Sequence, residues 1–156
     1  MRVLIVCSGN TCRSPLAEAA LRAALGPDAA RVEVISAGTG AAEGIPVSEH
    51  STAVAARDGL DLSEHRSRRA SRELVGSADL VLAMERHHLD AVRVLGADPA
   101  RSHLLSAWPA PGEPGLDIAD PFGGSIEAYE ECWRRIQRHV ARVAPHLVET
   151  LRSRSR

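Results

Sequence analysis

Compact apolar runs alternate along this chain with longer stretches of helical spacing. "RVLIVC" (2–7) is short and β-branched, the pattern of a buried strand. "SPLAEAALRAAL" (14–25) predicts a helix with Ser14 as N-cap and Pro15 at the first helical position, where a missing N–H costs nothing. Gly26-Pro27 ends that helix. "RVEVISAG" (31–38) predicts a second strand, and a polar segment over 38–47 leads to a helix near 48–58. "SADLVLAM" (77–84) reads as a third strand, "ERHHLDAVRVL" (85–95) has helical spacing, and "SHLLSAW" (102–108) fits a fourth strand. Residues 109–124, "PAPGEPGLDIADPFGG", are dense in proline and glycine and predict a loop of a length that is often functional.

The last segment is the most periodic. Ile126, Tyr129, Trp133, Ile136, Val140, Val143, Leu147 and Leu151 recur by threes and fours, which sets them on one helical face. Pro145 is expected to kink or break that helix, because its ring clashes with the carbonyl four residues back. Residues 152–156, "RSRSR", are expected to fray. Strands alternating with helices imply an α/β fold, with a parallel sheet covered on both faces and ligands held at the carboxyl ends of its strands. No repeat or linker interrupts residues 1–156, which read as a single domain.

Composition narrows the field. The net charge of −1 favours neither nucleic acid nor an anionic membrane as partner. No apolar run has the length of a signal peptide or a membrane span, so a reducing cytoplasm is the expected setting. Three cysteines, at positions 7, 12 and 132, make neither a disulfide framework nor a structural zinc site. All basic residues are arginine, and the absence of lysine removes a nucleotide-binding G-x4-G-K-[ST] loop. The adjacent His87 and His88 point in different directions on a helix and read as surface residues with no metal. "HRSRRASR" (65–72) reads as a solvated basic loop. Nothing in the pattern specifies an oligomeric state, and no cofactor is called for.

The chemistry gathers in "VCSGNTCRSP" (6–15). Between strand and helix the chain must turn within a few residues. Gly9 permits a positive φ, and Asn10 is among the few other residues that tolerate one. Such a loop can aim successive N–H groups into one concavity at the positive end of the following helix, a site for a tetrahedral dianion. Ser8, Gly9, Asn10, Thr11, Cys12 and Ser14 make up this cradle, and Arg13 adds a planar fork for two phosphate oxygens. Cys7 lies at its floor, where the N–H groups and the helix dipole favour a thiolate and Ser14 can donate to it. An ionised sulfur beneath a bound phosphorus performs covalent phosphoryl transfer. The leaving group needs a proton, and Asp120, on a turn stiffened by Pro121, is a candidate general acid, with Asp117 a nearby competitor.

"VCSGNTCRSPLAEA" and "DPFGG", with "SAGT" (36–39), "HRSR" (65–68) and "SADLVLAM" in the same order, resemble the low-molecular-weight protein tyrosine phosphatases over nearly the whole chain. The resemblance implies a three-layer fold with a four-stranded parallel sheet flanked by helices on both faces. It implies Cys7 as nucleophile, Arg13 as phosphate clamp and Asp120 as general acid, acting on a phosphorylated protein. It also implies that Ser14 stabilises the thiolate and that Ser36 and His65 hold Asn10 in its strained conformation. "DPFGGS" and Thr11 are similar to the family's protein-arginine phosphatase branch, since a short polar side chain at position 11 accommodates a guanidinium. Phosphotyrosine members carry an aromatic pair after the Asp-Pro, whereas here Gly123 follows Phe122. Phosphoarginine is therefore the favoured substrate and phosphotyrosine the alternative. Cys12 is expected to capture an oxidised Cys7 as a reversible disulfide, and Cys132 to be a core residue. Arsenate reductases of this fold need cysteines in mid-chain, and none stands between Cys12 and Cys132. A non-catalytic phosphate-binding module would need Arg13 but neither Cys7 nor Asp120.

Overall fold

A computed structural model describes residues 1–111 and 116–156. The expected loop over 109–124 therefore lies partly outside the described residues. Four parallel strands form one sheet: β1 (Arg2–Cys7), β2 (Glu33–Gly38), β3 (Leu80–Ala83) and β4 (Ser102–Leu104), in the order β2-β1-β3-β4. β1 is central, with Cys7 in register with Gly38 of β2 and Val6 with Ala83 of β3. Its side chains alternate between two apolar layers. Val3, Ile5 and Cys7 join one core and Leu4 and Val6 the other. A strand buried on both faces reads as a continuous apolar run, which is why "RVLIVC" shows no polar alternation.

Helices α1 (Arg13–Leu25), α2 (Glu49–Arg57) and α5 (Ile126–Arg154) cover one face. Helices α3 (Arg72–Ser77) and α4 (Arg86–Val94) cover the other through Val75, Leu89 and Val92. This is the three-layer arrangement the sequence implied. The order of strands reverses direction at β1, so the crevice beyond its carboxyl end is the fold's natural ligand site. No helix among the described residues is long and apolar enough to cross a membrane.

Several local expectations are corrected. α1 begins at Arg13 with Cys12 as N-cap, and no side chain caps it, because the Ser14 hydroxyl is engaged elsewhere. Pro15 still sits within the first turn, where N–H groups lack helical acceptors. The fourth strand is only Ser102–Leu104, and Leu105–Ala107 turn away as a 3-10 helix. α3 begins at Arg72, the last residue of the segment read as a basic loop. Pro145 does not break α5: it stands on the exposed face, while Val143, Ala144 and Leu147 on either side are buried in the core. Burying each such side chain contributes about 1.5–3 kcal/mol, comparable to the cost of an internal proline. The helix also continues through Arg154, where fraying was expected, with Arg31 Nη2 donating to Leu151 O and Ser155 Oγ.

Candidate active site

Residues 8–12 leave the end of β1 and enter α1 at Arg13. The carbonyls of Cys7, Ser8, Thr11 and Cys12 are tied backward to segments that flank the loop. Thr39 N donates to Cys7 O (2.8 Å), Gly40 N to Ser8 O (3.0 Å), Ser48 N to Thr11 O (2.8 Å) and Leu16 N to Cys12 O (3.4 Å). His65 Nε2 reaches Asn10 O at 3.1 Å, and since a carbonyl only accepts, Nε2 carries the proton. Among the described residues, nothing accepts from the backbone N–H groups of Ser8, Gly9, Asn10, Thr11 or Cys12. Acceptors point into the protein and donors are left for a ligand.

Asn10 makes that reversal possible. It is the non-glycine residue at positive φ (55°), and it is fully buried. Its Nδ2 donates to Ser14 Oγ (2.8 Å) and Ser36 Oγ (2.9 Å), and its Oδ1 accepts from Arg68 N (3.0 Å). The positive φ allowed for Gly9 is not used: among the described glycines it falls at positions 26, 44, 59, 96 and 123. The glycine the loop does require is Gly38. A Cβ there would stand 2.4 Å from Ser8 O and 2.9 Å from Asn10 N.

Cys7 is 2% exposed, and its Sγ lies 2.9 Å from Ser14 Oγ. Arg13 is 1% exposed although it carries a charge. Its Nη1 donates to Glu85 Oε2 (2.6 Å) and Ile118 O (2.7 Å), and its Nη2 lies 3.5 Å from Asp120 Oδ2. Its Nε has no partner among the described residues. A buried donor of this kind is costly unless something accepts from it. Burial alone would raise the Glu85 carboxyl, but the Arg13 hydrogen bond and charge outweigh it and hold that carboxyl below its ordinary range. The same balance applies behind the loop at Glu18: burial opposes its charge, and His65, Arg22 and Ser36 more than offset it.

The structure also separates the two acids. Asp117 Oδ1 accepts from Arg86 N (2.9 Å) at the start of α4, while Asp120, half exposed, faces Arg13 and accepts from Phe122 N through Oδ1 (3.0 Å). Thr11 is partly buried, with Oγ1 4.0 Å from Cys12 Sγ. All three cysteines are free thiols; Cys12 donates to Ser48 Oγ (3.3 Å). Cys132 is in the core as expected, and burial pushes its thiol up to about 12.

The reading of His88 as a surface residue is wrong. His88 is 0% exposed, accepts from Glu85 N through Nδ1 (3.1 Å), and its Nε2 lies 2.8 Å from Ser8 Oγ. Position 88 shares its helix face with Leu89 and Val92, whereas His87 projects outward. Donor atoms of Glu85, His87 and His88 come within 4.8 Å of one another. A metal would have to take one His88 nitrogen from either the Glu85 N–H or Ser8 and compete with Arg13 for the Glu85 carboxylate, so the cluster does not fit one. The basic segment 65–72 is likewise not merely solvated, since His65, Arg68 N and the buried Ser67 brace the loop and its surroundings. Glu18, Gly38, Arg68, Glu85 and His88 are the supporting residues that sequence reasoning missed.

A family model described as low molecular weight phosphotyrosine protein phosphatase matches residues 2–154. A low molecular weight protein-tyrosine-phosphatase of Streptomyces coelicolor is 39% identical over 143 residues, covering 87% of each chain. A protein-arginine-phosphatase of Geobacillus stearothermophilus is 38% identical over 146 residues, covering 94% of this chain and 95% of that one. The solved structure of the YwlE arginine phosphatase from Geobacillus stearothermophilus superposes with a TM-score of 0.82 at 37% identity, covering 97% of this chain and 96% of that one.

Proposed function

This chain belongs to the low molecular weight phosphotyrosine protein phosphatase family, and from that premise we propose that it removes phosphate from phosphoarginine in proteins, with Cys7 as nucleophile. The observation that carries the mechanism is the set of unpartnered N–H groups of residues 8–12, together with the buried Arg13 Nε, around the Cys7 sulfur. Nε and Nη2 form the edge of the guanidinium that Glu85 and Ile118 leave open, with Asp120 beside it, and that edge suits two oxygens of one phosphate. Ser14 Oγ, already accepting from Asn10, has its own proton to give the sulfur, which favours the thiolate.

The thiolate attacks phosphorus, the bond from phosphorus to the substrate nitrogen breaks, and the departing guanidine takes a proton from Asp120. The resulting phosphocysteine is attacked by water, which gives a proton back to Asp120; inorganic phosphate leaves and the thiolate is restored. The loop donors stabilise the charge that grows on the equatorial oxygens. A sulfur buried this deeply is out of reach of phosphoserine, whose stem is short. A reducing cytoplasm suits a free thiol in this role. Cys12, on the same loop, is the thiol we read as capturing a Cys7 sulfenic acid, forming a disulfide and releasing water.

Thr11 carries the choice of phosphoarginine. It is short, polar and partly exposed within the loop, and Asp120 beside Arg13 supplies an anionic contact for a guanidinium. Phe122, 77% exposed, is a single aromatic wall and favours phosphotyrosine as the alternative. Initial rates on phosphoarginine and phosphotyrosine peptides, for the wild type and Thr11→Ile, decide between them. Wild type is expected to prefer phosphoarginine, and the isoleucine to shift preference toward tyrosine; a tyrosine-preferring wild type unaffected by the change removes the arginine reading. Cys7→Ser is expected to abolish turnover of both peptides while leaving the fold intact.

A further inference from the structure

We propose that His88 is a positioning residue for the phosphate loop: the first turn of α4 clamps both ends of that loop, Glu85 holding Arg13 and His88 holding Ser8. The inference rests on the phosphatase reading. Because His88 Nδ1 accepts from the Glu85 N–H, it carries no proton, so the neutral ring bears its proton on Nε2 and donates it to Ser8 Oγ. The surroundings of the ring agree with neutrality. Burial opposes a positive charge there, as do Arg13 at the start of α1 and His87 on α4, and together they outweigh Glu85 and Asp120, which favour it.

α4 needs only Nδ1 for its own cap. The Nε2 bond adds nothing to that helix and instead crosses to the residue next to the nucleophile. Ser8 is then fixed twice, by His88 at its side chain and by Gly40 N at its carbonyl, which aims the Gly9 N–H of the same peptide plane into the cradle. Arg13 is fixed from the same turn, so one helix start spaces the beginning of the loop from its end.

The test measures p-nitrophenyl phosphate turnover and competitive inhibition by inorganic phosphate in the wild type, Ser8→Ala, His88→Ala, the double variant and His88→Gln. Ser8→Ala is expected to lower kcat and weaken phosphate inhibition about fivefold, the size of one neutral hydrogen bond, with a small loss of thermal stability because the buried His88 Nε2–H loses its acceptor. In the His88→Ala background it should change neither. A glutamine side chain offers an acceptor for the cap and an N–H for Ser8, so His88→Gln should recover most of what His88→Ala loses. Ser8→Ala with wild-type kcat and wild-type phosphate inhibition, or losses that simply multiply in the double variant, overturns the proposal. Should His88→Ala not fold, Ser8→Ala in the wild-type and His88→Gln backgrounds decides the same question, the loss being expected in both. A wild type without turnover removes the phosphatase reading itself; a wild type with turnover that Ser8→Ala leaves untouched removes only the clamp.

Discussion

Asn10 is where backbone strain and side-chain bonding can be separated by substitution. Asn10→Ala deletes two donors and one acceptor, leaving Ser14, Ser36 and Arg68 N each short of a partner in a buried setting. At about 1 kcal/mol for each bond, that is a loss of about 3 kcal/mol. Alanine at φ 55° keeps the crowding of its Cβ against the following carbonyl oxygen, about 1 kcal/mol, that asparagine already bears. The expected loss of about 3 kcal/mol is a large part of the roughly 5–15 kcal/mol that typically holds a domain together. Asn10→Gly loses the same bonds but adopts the positive φ freely, so it should be about 1 kcal/mol more stable than the alanine variant. Urea unfolding with a common m-value gives both numbers, and kcat on p-nitrophenyl phosphate reports the N–H alignment, with a loss of at least about tenfold expected in each variant. A glycine variant no more stable than the alanine one removes the strain argument. A loss below about 1.5 kcal/mol in Asn10→Ala removes the claim that these three bonds fix the loop.

Gly38→Ala is expected to cost about 2–3 kcal/mol and to lower kcat, because the new methyl meets two backbone atoms of the loop that cannot swing aside; thermal unfolding and turnover measured together check this. Asp120→Ala should lose about 10²–10⁴ in rate on phosphoarginine and much less on p-nitrophenyl phosphate, whose leaving group departs without a proton; equal losses on both speak against acid catalysis. Burial, then the Arg13 and His87 charges, push the His88 imidazole down from 6.5 to about 4, so between those values the unfolded chain binds a proton that the folded one does not. The stability tied to this group is complete above pH 6.5 and falls as pH drops toward 4, by about 1.4 kcal/mol per unit and about 3 kcal/mol in all. Urea midpoints of the wild type should therefore decline relative to those of His88→Gln across that window, and parallel curves refute the assignment.

The central strand, the loop after it and the α5 stripe were legible because each rests on a local rule: a continuous apolar run, Gly and Asn between strand and proline, and side chains spaced by threes and fours. The roles proposed for Cys7 and Arg13 rest on that same loop. The supporting residues were not legible, because their roles are set by which segments the sheet brings together. Glu18 lies among alanines and reads as a surface glutamate, yet α1 carries it against His65. Arg68 belongs to a basic run, but its backbone N–H, which no side-chain pattern betrays, is what Asn10 binds. His88 had a usable signal: it stands three residues after Glu85 and one before Leu89, the spacing of a helix cap that turns inward. Two adjacent histidines on a helix read as surface residues instead, because their sequence alone does not say which of the pair faces the core. Gly38 was readable as a strand end, but its close approach to Ser8 O and Asn10 N depends on the β1–β2 pairing.

The direction of the loop peptides explains why so many distant groups are enlisted. A peptide that rotates by half a turn presents its carbonyl where its N–H had been, converting an attraction for phosphate into a repulsion. The rotations of five of these peptides are opposed by anchors from several segments: Thr39 and Gly40 beyond β2, Ser48 before α2, His65, and the first turn of α1 through Leu16. No single element supplies two non-adjacent anchors, so the loop keeps its shape only when the sheet, α1, α2 and the segment around His65 are assembled. Five amides without acceptors among the described residues, and an orphaned guanidinium N–H, lower the stability of the ligand-free protein by an amount each hydrogen bond to an oxyanion restores. Those donors are already aimed before phosphorus is attacked, so little reorganisation remains for the transition state, and its charge gains the most from them.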